Sequence, residues 1–326
     1  MEQFHHGHHV RLRSRVRGAY LHADEDGHGV SLHRRRDSMN VAWAVHLRQG
    51  PPHAQYMHLH SAAYGRYLAA TTVPAPLGHR GLRVEQRNYN HPEVTAILWL
   101  AIRSESGDEV LLRHFDRGYL RANGRYLPWN NGASVDDADV NDTGNLSTMT
   151  HWVVEPIPAR EAMPPLPRPT GVSEPAPCPL LDSSRISFAW EQFLALFLPN
   201  LRVLCLPHLK FVLFATQLQL PFPDAMSPSR VITYAWRSFR GDLITSGSIV
   251  FRGRSVFRLR EELARLLGAL AILGVDDIIM CLPTRDGRLF PLVVDLPSSR
   301  QSLHIAVAIT RTPGHDALRF ADVDAE

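Results

Sequence analysis

Gly18-Ala19-Tyr20-Leu21-His22-Ala23 decides the fold, because it recurs. The signature returns as Gly65-Arg66-Tyr67-Leu68-Ala69-Ala70 and as Gly118-Tyr119-Leu120-Arg121-Ala122. Ahead of each copy lies a short alternating segment: Val10–Ser14 (VRLRS), Met57–Ser61 (MHLHS) and Val110–His114 (VLLRH). Behind each lies a tryptophan in an apolar run: Trp43 in VAWAV, Trp99 in ILWLA and Trp152 in HWVVE. The Tyr-Leu pairs are 47 and 52 residues apart, and the tryptophans 56 and 53. A repeat of about 50 residues made of short strands cannot bury its apolar face alone. Three such units close a barrel around a pseudo-threefold axis and leave no free sheet edge, whereas a propeller needs four or more blades. The spacing therefore predicts a β-trefoil over residues 1–157, with the tyrosines and tryptophans as core rather than as a ligand cage.

Within the first repeat, Val10, Leu12 and Val16 take one phase of the alternation. Arg11, Arg13, Arg15 and Arg17 take the other. Period two places these arginines together on an outer face. With Arg34, Arg35 and Arg36 they form the candidate partner-binding surface, fitted to an acidic protein partner. The first 157 residues hold 17 Arg against 16 Asp and Glu, so any positive patch is local. An ordinary solvated strand face would show the same pattern.

Downstream, residues 156–179 hold nine prolines. Such a run resists helix and ladder alike and reads as an extended spacer. It opens a linker over 158–228 that contains an apolar stretch, Ser183–Pro223. Within it, Ile186–Leu220 is rich in Leu, Phe and Val and is broken by Glu191, Pro199, Arg202, Pro207, His208 and Lys210. No uninterrupted segment reaches the 18–20 apolar residues of a spanning helix, so no membrane role is expected.

The second half reads strand, strand, helix, strand, strand, strand. The segments are Arg230–Arg237, Ser248–Arg252, a helix behind Ser255, Asp277–Leu282, Leu289–Val294 and Ser302–Ile309. The helix carries Val256, Leu259, Leu263, Leu266, Leu267 and Leu270 as its apolar stripe, and Glu261 stands four residues before Arg265. A helix on one face of a mixed sheet makes an α+β, β-grasp domain over residues 229–311. The remaining 312–326 are expected to fray. The fold class is thus mostly β: an N-terminal trefoil and a C-terminal ubiquitin-like domain.

The chain has 326 residues, of which 44% are hydrophobic, and a formal net charge of +3. That balance disfavours a dedicated nucleic-acid binder. Its single lysine is Lys210, so nearly all the positive charge is arginine. Cys178, Cys205 and Cys281 form no CxxC pair, which argues for a reducing compartment, cytoplasm or nucleus. Cys281 lies in an apolar strand and reads as inert packing.

Searches for chemistry return little. His5, His6, His8 and His9 are dense but terminal, and His58 with His60 make an incomplete metal site. Asp137, Asp139 and Asn141 mimic a calcium loop that lacks its glycine and its bidentate glutamate. No phosphate loop, nucleophile elbow or zinc-protease motif is present. Neither catalytic residues nor a cofactor or metal is expected, and the chain reads as a non-enzymatic interaction protein. Asn123, Tyr126, Trp129, Asn130 and Asn131 form one cluster of the kind that sugar-binding trefoils use, which keeps carbohydrate as the alternative partner.

Several ordered motifs resemble the plant domain-of-unknown-function 569 family. They are the opening MEQF with VRLRS, then LGHRG (77–81), YLRAN (119–123), NLSTM and HWVVE, and later the run from Phe251 to Leu267, DIIMC and RLFPL. The resemblance covers residues 1–157 and about 229–310, while Ser183–Pro223 departs from the pattern. It implies a fascin-like, actin-crosslinking-like trefoil with a ubiquitin-like tail domain. Actin filaments are the protein partner it suggests, with no established activity attached.

Overall fold

Alternation in the first repeat produces β1 (His9–Ser14), which stops where the turn begins. The hydroxyl of Ser14 accepts from Arg17 N at 3.3 Å, and its carbonyl accepts from Gly18 N at 2.9 Å. Gly18 sits at φ +61°, and its counterpart Gly65 at +60°, a backbone that favours glycine at this reversal. In the computed structural model, residues 3–50, 54–88, 94–104, 107–116, 118–123, 131–136, 147–169, 229–237, 243–268, 275–284, 287–310, 312, 315 and 317–325 are described.

The first repeat continues with β2 (Tyr20–Ala23), β3 (Val30–His33) and β4 (Trp43–Gly50). The second supplies β5 (Ala54–Ser61), β6 (Tyr67–Pro74), β7 (Leu82–Arg87) and β8 (Trp99–Arg103). The third supplies β9 (Glu109–His114), β10 (Gly118–Ala122), β11 (Ala133–Asp136) and β12 (His151–Ile157). The first and fourth strands of each repeat close a ring, in the order β1, β4, β5, β8, β9, β12 and back to β1. Pairs β2–β3, β6–β7 and β10–β11 form three hairpins.

Threefold symmetry is explicit at the tryptophans. Trp43 faces Val10 of its own repeat and Ser61 of the next. Trp99 faces Met57 and His114, and Trp152 faces Val110 and Ser14. All three are fully buried. Their indole N–H groups donate to the carbonyls of Leu21, Leu68 and Leu120, at 3.0, 2.9 and 2.9 Å. Each acceptor is the leucine of that repeat's own Tyr-Leu pair. The buried polar edge of the indole is thereby satisfied in all three repeats.

The C-terminal fold contains β14 (Ser229–Arg237), β15 (Leu243–Arg252), helix α1 (Val256–Gly268), β16 (Ile278–Pro283), β17 (Leu289–Pro291) and β18 (Leu303–Ile309). Its sheet order is β15-β14-β18-β16-β17, with β14 parallel to β18. Ser255 Oγ accepts from Arg258 N at 3.3 Å, and Asp295 Oδ1 accepts from Val256 N at 3.1 Å, which caps the helix. Val256, Leu259, Leu263 and Leu267 are fully buried against the sheet. Glu262, rather than the expected Glu261, pairs with Arg265, at 3.8 Å and three residues' spacing. Leu270 lies outside the described residues.

Two expectations are corrected. The proline run does not end the ladder at once: Pro156 opposes Val10 in β12, and β13 (Ala159–Arg160) follows. Nor do the described residues of the tail fray. Its strand β19 (Phe320–Ala321) pairs with β13, and Leu318 and Phe320 are buried in the C-terminal core. Two apolar side chains and a short ladder hold a segment too brief to show periodicity.

Both folds belong to one compact unit, Met1–Arg168 with Ser227–Glu326. Residues 170–228, with Cys178, Cys205 and the apolar stretch Ser183–Pro223, lie outside the described residues. The strands β4 and β5 turn His46 and His60 outward, toward Phe290 of β17. The His60 ring stacks on Phe290 at 4.9 Å and 20°, and the His46 ring lies 5.5 Å from it. Arg66 Nη2 donates to Gln301 Oε1 at 2.9 Å, and Arg254 Nη2 pairs with Glu25 Oε2 at 2.9 Å.

Candidate functional site

The arginine face does not survive as a single surface. Arg11 is fully buried, not exposed, because the chain's end lies over it. Its Nη2 donates to Val323 O at 2.8 Å and its Nε to Arg36 O at 3.2 Å. Burial lowers its pKa, and the neighbouring Arg36 adds to the effect. The alternation also ends at Ser14, so Arg15 and Arg17 sit in the turn, rotated off the face of Arg11 and Arg13. Val16 is correspondingly only half-buried.

Internal carboxylates engage most of the remaining arginines. Arg13 Nε pairs with Glu155 Oε1 at 2.6 Å, and Arg36 Nε approaches Glu155 Oε2 at 3.8 Å. Tyr20 donates to the same Glu155 carboxylate at 3.3 Å. Arg15 pairs with Glu109, which also meets His151 Nδ1 at 2.9 Å. Arg35 Nε pairs with Asp37 Oδ1 at 2.8 Å. These contacts hold strands and turns in place and neutralise charge locally.

Arg34 differs. It is exposed and has no ion-pair partner among the described residues. With Arg17 it lines a cleft of about 370 Å³, together with Ala19, Leu32, His33 and Asn131. Three positions of the trefoil build it: the turn after β1, the end of β3 and the start of β11. A backbone bond from Leu32 N to Asn131 O at 2.6 Å ties the last two together. Buried Ala19 and Leu32 make the floor, and exposed His33, Arg34 and Asn131 the rim. The His33 Nδ1 accepts from Arg35 N at 3.2 Å, which leaves Nε2 as the protonated nitrogen of the neutral ring. Two guanidinium groups, an imidazole and a carboxamide converge there, and no carboxylate is among the described lining residues. Such a set binds anionic or hydroxyl-rich groups by charge and by donated hydrogen bonds.

Sequence reasoning named Arg17, Arg34 and Asn131 but did not bring them together, and it missed His33. The signal for His33 was its place beside Arg34. Of the proposed sugar cluster, Asn123 is buried and donates to Ser134 Oγ, so it is structural. Tyr126, Trp129 and Asn130 lie outside the described residues, as do Asp137, Asp139 and Asn141. Among the described residues no group of three His, Cys, Asp or Glu is arranged to hold a metal ion. Cys281 is buried, and burial pushes its thiol pKa up to about 12.

A six-strand barrel capped by three hairpins, joined to a sheet of order β15-β14-β18-β16-β17 beneath one helix, defines a β-trefoil protein with a ubiquitin-like domain. Residues 1–155 match the beta-trefoil domain of unknown function (DUF569), and residues 228–308 match the DUF569 associated ubiquitin-like domain; the chain belongs to this family. Neither description names an activity. No curated protein matches the chain. Solved structures similar to it include a Caenorhabditis elegans protein of unknown function, at 16% identity over 47% of this chain and 96% of that one, with a TM-score of 0.38. An SDF2-like protein from Arabidopsis thaliana is similar at 17% identity over 46% and 93%, with a TM-score of 0.37. The designed threefold-symmetric protein ThreeFoil is similar at 14% identity over 45% and 97%, with a TM-score of 0.35. Among the described residues no helix is long and apolar enough to cross a membrane.

Proposed function

We propose that the chain is a non-enzymatic intracellular interaction protein whose trefoil docks an acidic protein partner through the cleft between Arg17 and Arg34. The observation that supports this reading is a contrast between Arg34 and five other arginines of the candidate surface. Arg13, Arg15, Arg35 and Arg36 face carboxylates of the chain and Arg11 is buried, whereas Arg34 stands exposed beside a cleft with no acidic described lining. Actin filaments are the partner suggested by the fascin-like resemblance. One cleft supplies one filament contact, so binding without bundling is the expected mode.

Filament cosedimentation of the full chain tests the reading. The wild type pellets with filaments, and Arg34→Glu lowers the pelleted fraction several-fold. Raising the salt weakens binding as screening shortens the reach of the charges. No pelleting above background ends the actin version.

Asn131 in the same cleft favours carbohydrate as the second reading, since a carboxamide beside His33 can share hydrogen bonds with sugar hydroxyls. A glycan array separates the two. Hits lost in Asn131→Ala but kept in Arg34→Gln would favour the sugar.

A further inference from the structure

A second cavity, of about 270 Å³, opens where the two folds meet. One wall is trefoil: His9 of β1, with Ala44 and His46 of β4. The other is the C-terminal fold: Phe290 of β17 and its neighbour Arg288, with Leu318 and Arg319 from the tail. Its surfaces divide by chemistry. Phe290 and Leu318 are buried and give an apolar wall. In the trefoil wall, His9 and His46 are both more than nine-tenths buried. Burial, reinforced by His8, depresses the His9 pKa to about 4, so its imidazole is neutral near pH 7 and can share a hydrogen bond without bringing charge. Arg288 and Arg319 bring positive charge. Arg319 is exposed and makes no ion pair among the described residues, and no carboxylate is among the described lining residues.

We infer that this cavity is a binding site for a small organic anion with one aromatic ring and one carboxylate. The volume lies just below the usual range for ligand pockets, which suits a single ring rather than a nucleotide or lipid. The ring lies along Phe290 and Leu318 while the carboxylate meets Arg319 and Arg288, the pairing for which a planar guanidinium is suited. Because opposite walls come from different folds, such a ligand fastens one to the other. This site is independent of the Arg17–Arg34 cleft, and either can fail without the other.

The test is calorimetric titration of the full chain with 3-phenylpropionate, paired with thermal unfolding. Two controls divide the chemistry: 3-phenylpropanamide keeps the ring without the charge, and acetate keeps the charge without the ring. The expected result is saturable binding of 3-phenylpropionate with a rise of about 2 °C or more in Tm at ~10 mM, as a native-state ligand produces. Both controls bind at least about tenfold more weakly, because each lacks one half of the recognition. Arg319→Gln, at an exposed position, lowers the affinity about tenfold, and Ala317→Trp, on the exposed rim, abolishes binding. Failure of 3-phenylpropionate to bind the wild type overturns the inference. Equal binding by the amide, or unchanged binding in Ala317→Trp, overturns it as well.

Discussion

Arg11 Nη2 donates to the carbonyl oxygen of Val323, 2.8 Å away across 312 residues of sequence. The contact joins the first strand of the trefoil to the end of the chain and explains why a guanidinium in an exposed-looking alternation is fully buried. Replacing it with methionine keeps most of the volume and removes the donors to Val323 and Arg36. We expect Arg11→Met to cost about 1–3 kcal/mol, as loss of charge-assisted hydrogen bonds from a buried guanidinium does. Arg35→Gln, at an exposed pair screened by solvent, should cost much less. Urea denaturation of both variants checks the contrast, and equal losses would contradict it.

The tail is part of the C-terminal core. A chain ending at residue 311 loses Leu318, Phe320 and the β13–β19 ladder. Each buried large apolar side chain contributes about 1.5–3 kcal/mol, so the truncated protein should melt several degrees lower than the full chain. Unchanged melting in a thermal scan would mean that these contacts do not form.

Equivalence of the three tryptophans is testable residue by residue. Trp43→Phe, Trp99→Phe and Trp152→Phe each leave a leucine carbonyl without its donor and open a small void. Each should cost about 2–4 kcal/mol, and the three costs should agree within about 1 kcal/mol. A substitution of no consequence at one position would break the threefold account.

Acid should weaken the fold through His9. Burial first, and His8 second, lower its pKa from 6.5 to about 4. The unfolded chain takes up the proton first, so the contribution is complete above about pH 6.5. It is lost progressively as pH falls toward about 4 and amounts to roughly 2–3 kcal/mol. His60 shifts in the same direction, through burial and then His46 and His58. Urea midpoints at pH 7 and pH 4.5 should show a smaller drop for His9→Gln than for the wild type. Equal drops would remove His9 from the explanation.

The trefoil was legible because its repeats place the same residues at the same structural positions. Each Tyr-Leu pair and each tryptophan must return for the ring to close, and such a constraint shows in sequence. The helix stripe from Val256 to Leu267 was legible through its period. Alternation says which side chains share a face but not what covers that face, so Arg11 read as exposed until Val323 was placed above it. His60 and Phe290 are likewise 230 residues apart, and no local pattern pairs them. In the cleft, Arg17 and Arg34 were readable as charge, whereas the approach of Asn131 depends on the third repeat crossing to the first.

The central structural claim is that the ubiquitin-like half covers the outward face of β4 and β5 through the stack of Phe290 on His60. Amide hydrogen exchange of the full chain, measured in Phe290→Ala against the wild type, tests it most directly. The expected result is faster exchange in the trefoil peptides spanning Trp43–Gly50 and Ala54–Ser61, with the third repeat unchanged. Exchange in β4 and β5 that does not respond to the loss of the Phe290 ring would contradict the claim.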